Sequence, residues 1–243
     1  MVPVIEINNI SKSFGDNNVL KDFSMHVEKG ENLAILGKSG SGKSVLIKCI
    51  IRLLDVDSGF ISLLGEQVSA LSAEKLNELR SKVGFLFQSN ALYDSLTVRE
   101  NLKFPLRRHW SKEQIAKESE QAVSMALEDV GLPHTADKMP SELSGGMRKR
   151  IALARTLILQ PEIILYDEPT TGLDPVTARE ISLLIVEVQK KYNASSVIIS
   201  HDMNCIRITS NRVIMLREGK CYANDSFKNL QASGDQNISE FFD

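Results

Sequence analysis

The amino-acid sequence predicts an α/β protein with a mainly parallel sheet that is covered by helices. Short apolar segments alternate with amphipathic helical segments, and a glycine-rich loop joins one apolar segment directly to a helix. Strand-like patterns then return after a long helical region. Parallel strands need crossover connections, which are usually helices, so this alternation indicates a parallel sheet. A length of 243 residues suits one large α/β domain.

The first third of the chain is dominated by strand signals. Alternating or continuous apolar residues predict strands in the segments VIEINNI, FSMHV, NLAILG, FISLLG and KVGFLFQ. NLAILG leads through the glycine-rich loop into a helix, whose apolar positions are Leu46, Ile47, Ile50 and Leu54. The local order is therefore strand, glycine-rich turn and helix.

Residues 89–160 are predicted to be mainly helical, with no obvious sheet member. Within this region, Ser111 and Gln114 form a capping-box pattern that begins a helix, and Gly131 ends it. Strand patterns return in EIILYDEP and SVIISHD, separated by a helix with Ile181 and Leu184 on its apolar face. A hairpin-like RVIMLREGKCYA follows, and QASGDQNISEFFD reads as a short polar tail.

Composition excludes several classes of protein. The chain has 29 Lys and Arg against 31 Asp and Glu, so nucleic acid is not expected as a partner, although a local basic patch is compatible with this balance. Cys49, Cys205 and Cys221 lack disulfide or zinc spacing and are expected to be reduced core residues. No export signal or apolar run near 18 residues is present, so we expect a chain that neither crosses a membrane nor is exported.

The glycine-rich loop is the strongest local signal for a ligand. Its glycines allow backbone N–H groups to point at phosphate oxygens, Lys43 can reach the β- and γ-phosphates, and the Ser44 hydroxyl can bind Mg²⁺. An ordinary glycine turn is the alternative, but the strand before the loop and the helix after it favour binding of ATP or GTP. The candidate phosphate-binding residues are Gly37, Lys38, Ser39, Gly40, Ser41, Gly42, Lys43 and Ser44.

Polar residues follow three of the predicted strands. Asp167 and Glu168 end a buried apolar run, which places both carboxylates where ligands bind in open α/β sheets. Asp167 is expected to hold Mg²⁺, and Glu168 is expected to accept the proton of an attacking water. His201 and Gln88 end two other strands at the same edge and are further catalytic candidates. The alternatives are a surface turn, a structural histidine and a plain strand-terminal glutamine.

A second anion site is predicted far along the chain from the first. In PSELSGGMRKR, a serine and two glycines precede a helical run, which presents free backbone N–H groups to an anion. The candidate residues are Ser144, Gly145 and Gly146. One nucleotide has a single triphosphate, so the glycine-rich loop leaves no obvious ligand for this second site.

The motifs taken together resemble a known family. GKSGSGKS, Gln88, LSGGM, YDEP, GLDP and SHD, in that order, look like the nucleotide-binding subunit of ATP-binding cassette (ABC) transporters over essentially the whole chain. The resemblance implies a single P-loop domain, 1–243. It would have a mainly parallel core sheet, an antiparallel β subdomain, a helical subdomain at about 89–160 and a tail at about 226–243.

The resemblance also assigns a ligand to the second anion site. In the family, the signature helix of one subunit caps the γ-phosphate of ATP held by the other, so the chain is expected to form a homodimer. Ser144, Gly145 and Gly146 would contact the partner's ATP, and Asp174 would lie at the dimer seam. Phe14 would stack on adenine, where a tyrosine is most common; a core phenylalanine is the alternative. Ser44, Gln88 and Asp167 would bind Mg²⁺.

One departure from the family's signature motif indicates a particular subfamily. Met147 replaces the usual signature glutamine, and the surrounding sequence is similar to the ATPase of Mla-type phospholipid transporters, which pair with a membrane permease and an MCE-domain lipid-binding protein. Neutral drift in a sugar, amino-acid or drug transporter ATPase is the alternative. The resemblance places the chain on the cytoplasmic face of the inner membrane. Its permease would dock at residues 89–104, where the apolar candidates are Ala91, Leu92, Tyr93 and Leu96.

Two further function classes compete with a transport ATPase. A cassette ATPase of DNA repair or translation would normally carry a second cassette, a long coiled coil or a basic extension, and the sequence shows none of these. A regulatory module that binds ATP without hydrolysing it would be expected to lack Glu168 or His201, and both residues are present.

Overall fold

The computed structural model describes residues 2–242, which form two sheets and a set of helices. The strands are β1 (Ile5–Phe14), β2 (Asn17–Val27), β3 (Asn32–Leu36), β4 (Ser58–Leu63), β5 (Glu66–Gln67), β6 (Val83–Leu86), β7 (Ile163–Asp167), β8 (Ser195–Ile199), β9 (Arg212–Arg217) and β10 (Lys220–Asp225). The helices are α1 (Lys43–Ile50), α2 (Ala73–Ser81), α3 (Val98–His109), α4 (Lys112–Asp129), α5 (Gly145–Leu157), α6 (Pro175–Tyr192), α7 (Met203–Thr209), α8 (Phe227–Gln231) and α9 (Gln236–Ser239).

The larger sheet has the order β10-β9-β3-β8-β7-β6. The four pairs from β9 to β6 are parallel, and only β10 runs antiparallel to its neighbour. The smaller sheet, in the order β2-β1-β4-β5, is antiparallel throughout. The α/β prediction with a mainly parallel core sheet and an antiparallel β part is therefore confirmed.

Alternating residues of β7 show how helices and the second sheet cover both faces of the parallel sheet. Ile163 and Leu165 pack into a core with β1, β2 and α1, whereas Ile164 and Tyr166 pack into a second core with α3 to α6. All five residues of β7 are buried. This two-sided burial explains why the strand reads as a continuous apolar run rather than as an alternating one.

The helices between β6 and β7 begin at the caps that short-range chemistry favours. The predicted capping box of Ser111 and Gln114 is present at the start of α4. An equivalent box formed by Thr97 and Glu100 begins α3 and had not been predicted. No helix among residues 2–242 is both long and apolar enough to cross a membrane.

Two expectations differ from the structure. Cys49 and Cys205 are buried as expected, but Cys221 is exposed because it lies on β10, the edge strand of the large sheet. The segment read as a polar tail contains α9, whose Ile238 is buried in a third core formed with β3, β9 and α7. Phe241 and Phe242, which follow α9, also pack against this core, so three apolar side chains hold an otherwise polar segment.

Candidate functional site

The glycine-rich loop connects β3 to α1 at the carboxyl edge of the parallel sheet. A Cβ atom at Gly37 would lie 2.6 Å from the carbonyl oxygen of Leu216, and Gly42 has a φ of 103° that side chains rarely adopt. No side chain caps the amino terminus of α1. The first backbone N–H groups of α1 are therefore available to an anion, which the helix dipole also favours.

Lys43, the first residue of α1, is buried beneath this loop. Its Nζ atom donates to the carbonyl oxygens of Gly37 at 2.6 Å and Lys38 at 3.0 Å. Burial lowers the pKa of Lys43, and the negative charges of Glu168 and Asp167 oppose that effect. The ammonium therefore lies between the phosphate loop and the acidic end of β7.

Two carboxylates follow the end of β7 at the same edge. Asp167 is the last residue of the strand, and its Oδ1 atom accepts a hydrogen bond of 3.3 Å from Ser44 Oγ. Burial raises the pKa of Asp167, the hydrogen bond from Ser44 lowers it, and the charge of Glu168 raises it again. A divalent cation beside Ser44 and Asp167 would stabilise the ionised carboxylate, so these residues fit Mg²⁺ with its preference for oxygen ligands.

Glu168 is held in an unusual conformation. Its φ is 51°, in the left-handed region, and its backbone N–H donates to the carbonyl oxygen of Ile199 at 2.9 Å. Its Oε2 atom accepts from Thr171 Oγ1 at 3.1 Å and lies 2.8 Å from Nδ1 of His201. Non-glycine residues in this region cost about 1–3 kcal/mol and persist where the surroundings hold them. β8 and Thr171 therefore fix the direction of the Glu168 carboxylate.

Lys43, Ser44, Glu168 and His201 line one cavity of about 670 Å³. The phosphate loop and Phe14, the last residue of β1, also line it, and about half of the surface of Phe14 is exposed. The cavity therefore joins an aromatic face, a phosphate cradle and a carboxylate. Its lining comprises Phe14, Val19, Gly37, Lys38, Ser39, Gly40, Gly42, Lys43, Ser44, Val45, Gln88, Glu168, His201 and Phe241.

The second predicted anion site does not reach this cavity. Ser144 caps α5 by accepting from the backbone N–H of Met147 at 3.2 Å, and both Ser144 and Gly145 are exposed. None of Ser144, Gly145 and Gly146 is among the residues, within the part of the chain that the structure describes, that line the cavity. The N–H groups at this helix end therefore face outward.

Asp174 lies on the same exposed surface. It caps α6 by accepting from the backbone N–H groups of Val176 at 3.1 Å and Thr177 at 3.0 Å, and hydrogen bonds from Thr177 lower its pKa. A Cβ atom at Gly146 would lie 2.6 Å from Thr177 Cγ2, so the starts of α5 and α6 are in close contact. The two helix ends form one surface outside the cavity.

Three side chains at the site had not been predicted from the sequence. Thr171 orients Glu168, and Phe241 lines the cavity from the segment that follows α9. Lys149 is buried, and its Nζ atom donates to the carbonyl oxygen of Gln88 at 3.1 Å. The run RKR reads as a solvated basic surface. The available signal was that Lys149 falls on the same helical stripe as the buried Ala152 and Leu153.

This geometry defines a class of protein. A parallel strand, β3, leads through a glycine-rich loop into a helix whose N–H groups are free. At the same edge of the sheet, β7 ends in Asp167, which accepts from Ser44 of that helix, and Glu168 follows it and lines the cavity. The chain is a P-loop nucleotide-binding domain.

Comparison with known proteins identifies the family. A family model described as ABC transporter matches residues 20–171. A solved dimeric structure of the ATP-binding cassette MJ0796 bound to ADP and Pi has a TM-score of 0.83 and 30% sequence identity, covering 92% of this chain and 98% of that one. The chain belongs to the ABC transporter family and is an ATP-binding, ATP-hydrolysing cassette of that family.

Several curated relatives differ in the transport for which they are named. The protein mkl of Mycobacterium tuberculosis, named for ribonucleotide transport, is 41% identical over 87% of this chain; the chain spans 58% of the length of that relative. The intermembrane phospholipid transport protein MlaF of Haemophilus influenzae is 36% identical over 98% of the chain and 89% of its own length. The methionine import protein MetN of Campylobacter jejuni is 34% identical over 98% of the chain and 75% of its own length.

Proposed function

We propose that the chain powers phospholipid transport across the cell envelope, as a homodimeric ATPase coupled to a membrane permease. The exposed signature end of α5 carries the proposal. It presents free N–H groups and does not line the cavity of its own chain. A head-to-tail pair would bring this helix end to the γ-phosphate in the partner's cavity. The cassette would then bind two nucleotides between two chains.

The residues of the cavity support ATP hydrolysis assisted by Mg²⁺. Mg²⁺, held by Ser44, Asp167 and Gln88, would neutralise charge on the phosphates. Glu168 orients a water molecule and accepts its proton, because Thr171 and the backbone hydrogen bond to β8 hold the carboxylate. His201, 2.8 Å from Glu168, lines the same cavity and would contact the γ-phosphate. Phe14 supplies a face for adenine.

The physics of helix ends supports the proposed dimer. A helix N-terminus stabilises an anion by about 0.3–1 kcal/mol at an exposed site and by up to about 2 kcal/mol where it is partly buried. Two such ends stabilise the closed pair while the γ-phosphates are present, and hydrolysis removes that contribution. ATP therefore favours the closed pair and ADP the open one, which is a two-state element biased by its ligand.

An exposed aromatic pair supports a docking site for the permease. The rings of Tyr93 and Phe104 lie 4.8 Å apart and both are nearly half exposed. The neighbouring loop is held by Arg155, which donates to the carbonyl oxygens of Asn90 and Ala91. An amphipathic helix of a permease would bury its apolar residues against this pair. We infer that the chain works at the cytoplasmic face of the inner membrane through such a contact.

Phospholipid is the cargo that we favour. The likeness to MlaF extends over nearly the whole of both chains, and Met147 in the signature is the departure on which the sequence argument rests. An MCE-domain lipid-binding protein is the expected further partner, on the far side of the permease. The likeness to MetN and mkl supports the alternative, an ABC importer or exporter of another small solute.

Purification from detergent-solubilised membranes tests the cargo and the partners together. The tagged chain is expected to recover an integral-membrane permease and an MCE-domain protein, with ATP turnover higher in the complex than in the isolated chain. The permease holds two cassettes together and so raises their effective concentration. A tagged Tyr93→Asp variant is the control, since it retains the nucleotide cavity and is expected to lose the permease. Recovery with a soluble solute-binding protein instead would contradict the phospholipid proposal but not the ATPase assignment.

A further inference from the structure

Lys149 is a buried cation that has no part in the hydrolysis proposed above. It lies in the second turn of α5, with 2% of its surface exposed, and donates to the carbonyl oxygen of Gln88 at 3.1 Å. Burial lowers the pKa of Lys149, and the charges of Asp167 and Glu168 oppose that effect. Burying an ammonium group costs free energy unless it is paired. An aliphatic side chain would fill this position with a smaller loss of solvation free energy. Packing alone therefore does not explain a lysine at position 149.

A second cation on α5 holds the same loop. Arg155 donates to the carbonyl oxygens of Asn90 at 3.0 Å and Ala91 at 2.7 Å. Both residues have positive φ, 62° for Asn90 and 51° for Ala91. Asparagine adopts this region readily, but for alanine it costs about 1–2 kcal/mol, so contacts with neighbours must stabilise it at Ala91. Together with Lys149, this arginine fastens the loop that begins at Gln88 to α5. The loop and the helix are therefore expected to move as one body.

α5 consequently joins two different nucleotide sites. Gln88 lines the cavity of its own chain, whereas Ser144, at the start of α5, faces outward. If the proposed dimer is correct, on which this inference rests, Ser144 serves the ATP of the partner. A shift of α5 onto that ATP would be transmitted over one and a half turns of helix, a rigid connection, to the carbonyl oxygen of Gln88.

We infer that Lys149 is a positioning residue that couples the two nucleotide sites of the dimer. Its hydrogen bond moves Gln88 with the signature helix. When Ser144 binds the partner's ATP, the chain's own cavity is therefore shifted towards the arrangement that hydrolyses ATP. By linkage, ATP bound in the chain's own cavity strengthens the contact of Ser144 with the partner's ATP to the same degree.

The test measures ATP-dependent dimerisation in a Glu168→Gln background, which prevents turnover. Lys149→Met removes the charge and the donor but retains the length of the side chain. We expect ATP binding to the single chain to stay within about twofold, while the ATP concentration for half-maximal dimerisation rises about tenfold, as expected for loss of one charge-assisted hydrogen bond. Lys149→Arg should recover most of the loss. Light scattering during an ATP titration measures the fraction of chains in the dimer.

Arg150→Met is the matched control, because Arg150 is the next cation on α5 and bonds to Val130 and Glu180 rather than to Gln88. It should leave the dimerisation midpoint unchanged. Equal shifts for both variants, or no shift for Lys149→Met, would overturn the inference. If Lys149→Met does not fold, Lys149→Leu, which also lacks both the charge and the donor, is judged by the same criteria. A Glu168→Gln parent that stays monomeric in ATP would instead overturn the proposed dimer.

Discussion

Replacing Glu168 with glutamine tests the chemistry of the site most directly. The change removes the base but keeps the size of the side chain and an oxygen that can accept from Thr171 Oγ1, now 3.1 Å away. The φ of 51° is a property of the backbone and suits glutamine no less than glutamate. The hydrogen bonds of Lys43 to the phosphate loop are not altered. The variant is therefore expected to fold and to bind ATP as the native chain does.

The expected loss is in turnover. A positioned general base contributes about 10²–10⁴-fold to a rate, which is roughly 3–5 kcal/mol of transition-state stabilisation. Single-turnover hydrolysis by Glu168→Gln should fall by that factor, with ATP affinity within about twofold of the native value and a nucleotide-bound dimer accumulating. Phosphate release measures the rate, and a fluorescent ATP analogue measures the affinity.

Glu162 offers a matched control at the opposite end of β7. It precedes β7, as Glu168 follows it, and its carboxylate is more than half exposed beside Lys82. Glu162→Gln should leave both hydrolysis and affinity unchanged, since it lies at the opposite edge of the sheet. Native hydrolysis by Glu168→Gln would remove this residue from the mechanism. An equal fall in both variants would show that the loss comes from β7 as a whole.

Three other predictions concern the cradle, the signature and the thiols. Lys43→Ala should weaken ATP binding itself by about tenfold or more, through loss of a charged hydrogen-bond donor, and unchanged affinity in equilibrium titrations would count against the cradle. Gly145→Asp should keep the ATP affinity of the single chain, because the nearest atom to a new Cβ is 3.9 Å away. It should abolish dimer closure and hydrolysis by charge repulsion, and full hydrolysis by a monomeric chain would refute the reasoning. In the native protein a thiol reagent should modify Cys221 alone, because Cys221 is exposed whereas Cys49 and Cys205 are buried. Burial raises the pKa of all three thiols, to about 11 for Cys49 and Cys205. Rapid labelling of more than one thiol before denaturation would contradict the structure.

Local sequence chemistry was sufficient wherever a rule acts over a few residues. Apolar alternation located the strands, and the capping pattern at Ser111 predicted the start of α4. The glycine loop could be read because only glycine tolerates the φ of 103° at Gly42. The placement of Asp167 and Glu168 followed from a short buried strand, since parallel strands deliver their carboxyl ends to one edge.

Tertiary structure decided which segments become neighbours and which charged side chains become buried. β3 lies between β8 and β9, which are more than 150 residues further along the chain, and no local pattern encodes that order. Lys149 and Arg148 are both cations of one basic run, yet only Lys149 is buried, because the loop at Gln88 packs over its side of α5.

The amino-acid sequence by itself determined that this protein has a phosphate cradle, an acidic strand end and a second helix end suited to an anion. Only the tertiary structure decided that the first two share a cavity while the third, at Ser144, faces away from it. It also decided that Phe241 reaches the cavity from a segment that reads as a polar tail. The physical reason is that backbone conformation and capping depend on near neighbours, whereas burial and the direction of a helix end depend on contacts between residues far apart in the chain.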